Sequence, residues 1–440
     1  MKLVVVGGSA AGMAAAAKAK RVGEAEVIVF ERSKYVSYAP CGIPYYFEGL
    51  VKSIDSLVYY TADYFREKRG IDVRTERSVI EIDESHVVAI DKNGREEREE
   101  YDRLILATGG KAFRPNIEGI DLDGIHTIRL LEDGEKLYNE AKKAEKVGIV
   151  GAGYIGIEMA EAFIKMGKRV SVFEMMPHVM PSMDEEMARI IENEMISKGV
   201  DLHLNEPVIA FHGKDRVEKI ITEKGEYNID TVLLSIGVKP NVDFAKKLGL
   251  ELGKTGAIKT NEYMESSKPG IYAAGDNVET KNIVTGKETY APLAPAANKM
   301  GRVAGENAVA GNRRTFPGVV GTAITKFFDL HIGKTGLSLK EAGDDGVAAD
   351  IEHGTRSHYY PGNKKINVRL VASKDSHHII GGQIVGREGV VGRINTLAAV
   401  ITAKMKAEEL AMLDMAYAPP FAPVWDALIV AANVIQRKLK

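Results

Sequence analysis

The sequence predicts an α/β chain made of two Rossmann-like dinucleotide-binding domains followed by a smaller α+β domain. Three observations carry that prediction. A strand, glycine turn and helix closing on an acid occurs twice, at residues 3–31 and 147–174. Buried-looking runs that end in glycine follow each copy, at 101–110, 230–240 and 270–276. After residue 315 the pattern changes to antiparallel alternation and then to helical spacing.

The 440 residues exceed what one core supports, so two or three domains of about 100–200 residues each are expected. A 45% hydrophobic and 27% charged composition predicts a soluble globular protein, and a net charge of −2 offers no basic footprint for nucleic acid. The longest apolar run, 427–434, falls far short of the roughly 20 residues that cross a membrane. A single cysteine excludes a disulfide scaffold and predicts a cytoplasmic location. Met1-Lys2 and the apolar run behind it have the outline of a secretory signal, but Gly7-Gly8 and the alanine-rich stretch 10–20 read instead as strand, turn and helix.

The first fingerprint is LVVVGGSAAG, residues 3–12, whose turn comprises Gly7, Gly8, Ser9, Ala10, Ala11 and Gly12. Free N–H groups and the helix dipole at such a turn hold a pyrophosphate. The acid about 20 residues further on, Glu31, accepts hydrogen bonds from a ribose. Ser9 departs from the pattern, which wants a glycine there. The second copy, VGIVGAGYIG at 147–156, has Gly151, Gly153 and Gly156 in place and closes on Glu174. Glu174 would repel a 2′-phosphate, and Met175-Met176 provides no arginine to bind one, so NADH is favoured over NADPH. Asp276, ending GIYAAGD, is placed either to bond a sugar-like hydroxyl or simply to cap a turn. Residues 365–371 and 378–385 read as strands, 392–407 and 424–439 as helices, and the proline-rich 416–426 as an interface loop or lid.

Cys41, within SKYVSYAPCGIPYYFE at 33–48, is the only thiol. It cannot form an internal disulfide, so redox chemistry there needs an outside partner: a small thiol, sulfur or peroxide. Gly42-Ile43-Pro44 predicts a helix N-terminus at Cys41 and hence a lowered thiol pKa. No metal site is expected.

Two fingerprints, ATGG between them, GIYAAGD after the second and an α+β C-terminal domain together resemble the pyridine nucleotide–disulfide oxidoreductases, over nearly the whole chain. That resemblance implies a glutathione-reductase-like fold: an FAD domain at 1–112 and 241–317, an NAD(P)H domain at 113–240 and a dimerisation domain at 318–440. It places the first turn, Glu31, Arg32, Ala107, Thr108, Gly109, Gly275, Asp276 and Ala294 against FAD. It places Gly151, Gly153, Tyr154, Ile155, Gly156, Glu158, Glu174 and Gly237 against NADH or NADPH, with Tyr154 as a movable gate. The string Ser37 to Tyr45 resembles the single-cysteine branch: coenzyme A disulfide reductases, NAD(P)H oxidases and sulfur reductases. Peroxidases and water-forming oxidases of that branch carry a histidine in the first glycine loop where this chain has Ala10, which favours the disulfide and sulfur reductases.

HYYPG at 358–362 and AYAPP at 416–420 resemble the places where one subunit lends tyrosines to the other's active site. They implicate Tyr360, with Tyr359 as the second choice, and Tyr417, in a homodimer. Lys18, Lys20 and Arg21 are candidates for coenzyme A phosphates, and Ser37 for the bound sulfur. The resulting expectation is an FAD-dependent NAD(P)H oxidoreductase acting on coenzyme A disulfide, polysulfide or sulfur, in which Cys41 cycles through a mixed disulfide or persulfide. The alternatives are an NAD(P)H oxidase working through a Cys41 sulfenic acid, and a flavoprotein redox sensor or electron carrier.

Overall fold

A computed structural model describes residues 1–440. A parallel sheet runs in the order Ile271–Ala273, Arg103–Leu106, Lys2–Val6, Glu26–Phe30, Asp72–Arg74. Leu3, Val4 and Val5 are wholly buried, as a strand covered on both faces requires. The helix Ala10–Val22 lies against the helix Ala294–Ala310. Their approach is backbone to backbone: a Cβ on Gly301 would fall 2.1 Å from the Ala11 carbonyl oxygen, and one on Gly305 2.1 Å from that of Ala15. Alanines on one helix and glycines on the other are what so close a contact demands.

A second parallel sheet runs Asp201–Leu204, Arg169–Glu174, Lys146–Val150, Thr231–Leu234, Ile125–His126. The chain passes between the two sheets along a narrow antiparallel ribbon, Gly110–Ala112 with Val238–Pro240. Each sheet carries an antiparallel meander, Ser78–Ile82 to Glu96–Glu100 and Val208–His212 to Glu226–Asn228. No helix is long and apolar enough to cross a membrane.

The C-terminal sheet is antiparallel, in the order Ala323–Phe327, Leu330–Gly336, Ile379–Gly386, Lys365–Ser373, Gly346–Gly354. The helices Val390–Thr402 and Ala427–Leu439 pack on it. The run read as one helix over 392–407 breaks after Thr402, because Lys404 takes a left-handed φ of 54° and a short helix Ala407–Ala411 starts afresh. The last helix starts at Ala427, where the Asp426 carboxylate accepts from the Leu428 N–H at 2.9 Å. One hydrophobic cluster draws on all three regions: Ile43 and Phe47 from the first, Ile157 and Phe163 from the second, Phe327 and Ile332 from the third. The molecule is therefore welded at one point, and Cys41 lies two residues before it.

Candidate active site

The two glycine turns are built alike. Gly7 has φ 112° and Gly151 φ 99°, conformations that a side chain resists. A Cβ on Gly12 would sit 1.7 Å from the Gly7 carbonyl oxygen, and one on Gly156 2.0 Å from that of Gly151, so both helices begin in contact with their own turns. The two acids brace those turns in the same way. Glu31 accepts from the N–H of Gly8 at 2.6 Å and of Ser33 at 2.8 Å. Glu174 accepts from the N–H of Ala152 at 2.8 Å and of Met176 at 2.9 Å. Each carboxylate is 6% exposed, and each oxygen retains a second acceptor position for a ribose hydroxyl. Burial pushes the Glu31 carboxyl above the usual range, against the two N–H bonds.

A cavity of about 1130 Å³ opens beside the first turn. It gathers nearly all of the expected flavin-side residues, from Gly7, Ser9 and Ala10 through Glu31 and Arg32 to Thr108, Gly109, Asp276 and Ala294. Gly8 and Gly12 stay out of the lining, the first held by Glu31 and the second covered by Gly7. Thr108 donates to the Asn241 carbonyl at 2.8 Å and accepts from the Asn277 amide at 3.1 Å, which fixes the strand end beneath it. Gly109, at φ 63°, has no atom within 4 Å of the point where a Cβ would stand, so its backbone faces open space. This glycine-lined cavity, with the acids Glu31 and Asp276 in its wall, fits an FAD. On the second sheet, Gly153 and Gly237 likewise face open space, which fits a second dinucleotide. Tyr154 is half-buried there, and desolvation pushes its phenol up to about 12.

Cys41 lines the first cavity, in a 3-10 turn Pro40–Gly42 that leads into the five-residue helix Ile43–Phe47. The expected lowering of its pKa does not occur. Its sulfur is open to the cavity, yet protein flanks it closely enough that burial raises its pKa; the Glu158 charge adds to this and Arg129 opposes it. The helix is too short to supply the dipole that the Gly42-Ile43-Pro44 string suggested.

Ser37 lines the cavity with a φ of 50°. Lys20 and Arg21 line it too, but Lys18 does not: its ammonium is held 2.9 Å from Glu306 on the neighbouring helix. Tyr59, Tyr60, Tyr64, Lys68 and Arg69, which no motif pointed to, line the same cavity. The basic last turn of the helix Ala62–Arg69 was their only visible signal. Arg129 was equally hidden in the sequence; it donates to the Asp276 carboxylate at 2.8 Å.

Tyr360 and Tyr417 stand apart from this chain's own cavity, 36% and 48% exposed. Their loops are tied together, Ser357 N–H to the Pro419 carbonyl at 3.2 Å, and the neighbouring Tyr359 raises the Tyr417 pKa.

Comparison with known proteins agrees with this architecture. Residues 1–301 match the family described as pyridine nucleotide-disulphide oxidoreductase, and residues 322–428 match its dimerisation domain. The chain is 47% identical to the NAD(P)H coenzyme A polysulfide/persulfide reductase of Pyrococcus horikoshii, over 99% of this chain and 98% of that one. It is 39% identical to an NADH oxidase of Methanocaldococcus jannaschii, over 100% and 99%. The solved structure of an NAD-dependent persulfide reductase from A. fulgidus superimposes with a TM-score of 0.96 at 41% identity, covering 100% of this chain and 83% of that one.

Proposed function

The chain belongs to the pyridine nucleotide-disulphide oxidoreductases, and from that premise we propose that it is an FAD-dependent enzyme using NAD(P)H to reduce coenzyme A disulfide, coenzyme A persulfide or polysulfide at Cys41. The observation that carries this reading is the position of the only thiol. Cys41 lines one continuous cavity together with the flavin-side residues and with Lys20, Arg21, Lys68 and Arg69. A polyanionic carrier of a sulfur group matches those cations, and the tyrosines in the same wall suit an adenine ring.

The first turn and Glu31 hold the pyrophosphate and ribose of FAD, Asp276 its ribityl chain, and Gly153, Gly237 and Glu174 hold the nicotinamide dinucleotide. When bound, the flavin takes a hydride from NAD(P)H and supplies two electrons to sulfur. Cys41 as thiolate attacks one sulfur of the substrate S–S bond, forming a mixed disulfide and expelling the other sulfur as a thiolate. Two electrons then cleave that mixed disulfide and restore the Cys41 thiolate with release of the second thiolate. Arg129 is the cation that favours the thiolate, and Ser37 stands by to bond the transferred sulfur.

The matched dimerisation domain supports a homodimer, in which Tyr360 and Tyr417, with Tyr359 beside the latter, serve the partner's Cys41 as proton donors. Residues 1–112 with 241–317 form the flavin domain, 113–240 the nicotinamide domain and 318–440 the dimerisation domain, in a cytoplasmic enzyme.

The second reading, an NAD(P)H oxidase, is favoured by the likeness to the M. jannaschii protein. Ala10 argues against it, since it lines the cavity where an imidazole would assist peroxide or oxygen chemistry. Turnover with coenzyme A disulfide, polysulfide and oxygen, measured side by side, decides between them. Sulfur substrates are expected to exceed oxygen by at least about tenfold, and Cys41→Ser to lower sulfur reduction by about a hundredfold or more with FAD retained. Oxygen turnover that dominates, or sulfur reduction that survives in Cys41→Ser, would sink the reading.

A further inference from the structure

The strand Ala323–Phe327 of the C-terminal domain sets two adjacent polar side chains against the helix Tyr154–Lys165 of the second. Thr325, 7% exposed, donates its hydroxyl proton to Glu158 Oε1 at 2.6 Å. Lys326 Nζ lies 2.5 Å from Glu161 Oε1, which also binds Lys165 Nζ at 2.6 Å. Lys165 reaches on to Glu48, just past the helix that follows Cys41, at 2.7 Å. The Glu48 and Glu161 side chains are each 1% exposed, so these carboxylates rest on the two ammonium groups and, for Glu161, on the Phe328 N–H at 2.8 Å, while Lys165 and Lys326 stay partly in water. Buried carboxylates so paired hold one geometry, because displacement leaves a charge without its partner. Three segments, one from each region, are thereby fixed around Glu158.

The groups that face Glu158 are Thr325 and Lys326 on the strand, Tyr154 and Glu161 on its own helix, and Tyr45, Glu48 and Cys41 on the segment opposite. Burial lifts the Glu158 carboxyl above the ordinary range, while the Thr325 hydroxyl and then Lys326 draw it back. The helix Ile43–Phe47, two residues past Cys41, packs on the helix that carries Glu158, with Ile43 and Ile157 in one cluster; there burial raises the Cys41 thiol first, the Glu158 charge adds to it, Arg129 opposes it and Asp276 adds a smaller push upward. We propose that Thr325 is a positioning residue, holding the Glu158 carboxylate in its place opposite Cys41, so that the C-terminal domain governs the charge beside the only thiol. Removing the hydroxyl leaves Glu158 more readily protonated, and a neutral Glu158 no longer repels the thiolate. The thiol then ionises at lower pH.

This inference rests on the reading of Cys41 as the reactive sulfur, but its test does not use turnover. Because the chain has one cysteine, iodoacetamide uptake by the purified flavoenzyme, read by mass spectrometry across pH, reports Cys41 alone. Thr325→Val is expected to speed labelling at neutral pH about threefold and to move the profile toward acid. Glu158→Gln is expected to do the same, Thr325→Ser to match the parent, and the Thr325→Val, Glu158→Gln pair to equal Glu158→Gln alone. A parental profile for Thr325→Val, or additive effects in the pair, overturns the proposal. Survival of sulfur reduction in Cys41→Ser would overturn the catalytic reading instead and leave these labelling results standing.

Discussion

Burial without a partner makes His126 a pH-sensitive point in the nicotinamide-side sheet. It is 7% exposed, its Nε2 has no hydrogen-bond partner, and burial first, then Lys136, holds its pKa below the ordinary value. The folded chain therefore resists a proton that the unfolded chain accepts near pH 6.5. The sign follows: its contribution to stability is intact above that value and is lost as pH falls toward the depressed folded pKa. Tm measured from pH 7.5 to 5.5 should fall less in His126→Leu than in the parent; an equal fall would contradict this. Single residues also mark the reach of the sequence. Spacing revealed Glu31 and Glu174 because strand, turn and helix have fixed lengths, and the cavity gathers the flavin-side residues that the motifs named, Gly8 and Gly12 apart. The ionisation of Cys41 was misread, because it depends first on burial in the folded chain and then on Glu158 and Arg129, neither of which is near it in sequence. Thr325 was invisible for the same reason, its partner lying in another domain's motif.

Among the elements, the contact between the helices Ala10–Val22 and Ala294–Ala310 bears most directly on the cavity, since both helices start at its wall. Gly301→Ala or Gly305→Ala must push the helices apart, at roughly 1–3 kcal/mol by analogy with overpacked cores. The expected result is a lower denaturation midpoint together with a reduced FAD content in the purified protein. A parental midpoint would mean that the helices do not meet backbone to backbone. The alanine-rich first helix was legible from its composition, and the strands at 365–371 and 378–385 from their alternation. The strand Leu330–Gly336 was not, because its glycines suit close packing rather than β propensity: a Cβ on Gly333 would meet the Ile394 side chain at 2.5 Å. The long helix read at 392–407 failed at Lys404, where no glycine or proline announces the left-handed turn.

At the scale of the whole molecule, the proposed dimer builds each active site from Cys41 of one chain and tyrosines of the other. Such sites complement. Cys41→Ser and Tyr360→Phe/Tyr417→Phe chains, each inactive or slow alone, should recover up to about a quarter of parental activity when unfolded and reassembled together, since half of the dimers then hold one intact site of two. No recovery in verified mixed dimers would place the tyrosines in the wrong site. The order of the three regions was readable from the repeat and the change of pattern after residue 315. Their mutual seating was not, because the shared cluster that joins Phe47, Phe163 and Phe327 is assembled from residues that look, within each segment, like ordinary core.

The matching braces of Glu31 and Glu174 carry a historical implication. Each acid grips the second residue of its turn and the residue two places beyond itself, Gly8 and Ser33 in one half, Ala152 and Met176 in the other. Two unrelated solutions to phosphate binding would have no reason to share that wiring down to the atom, whereas a unit that was copied and set within its own sequence inherits it. On that account the turns kept Gly7 with Gly151 and Gly12 with Gly156 while the four positions between them diverged, and the chain preserves both the ancestor's grip and the descendants' divergence in a single molecule.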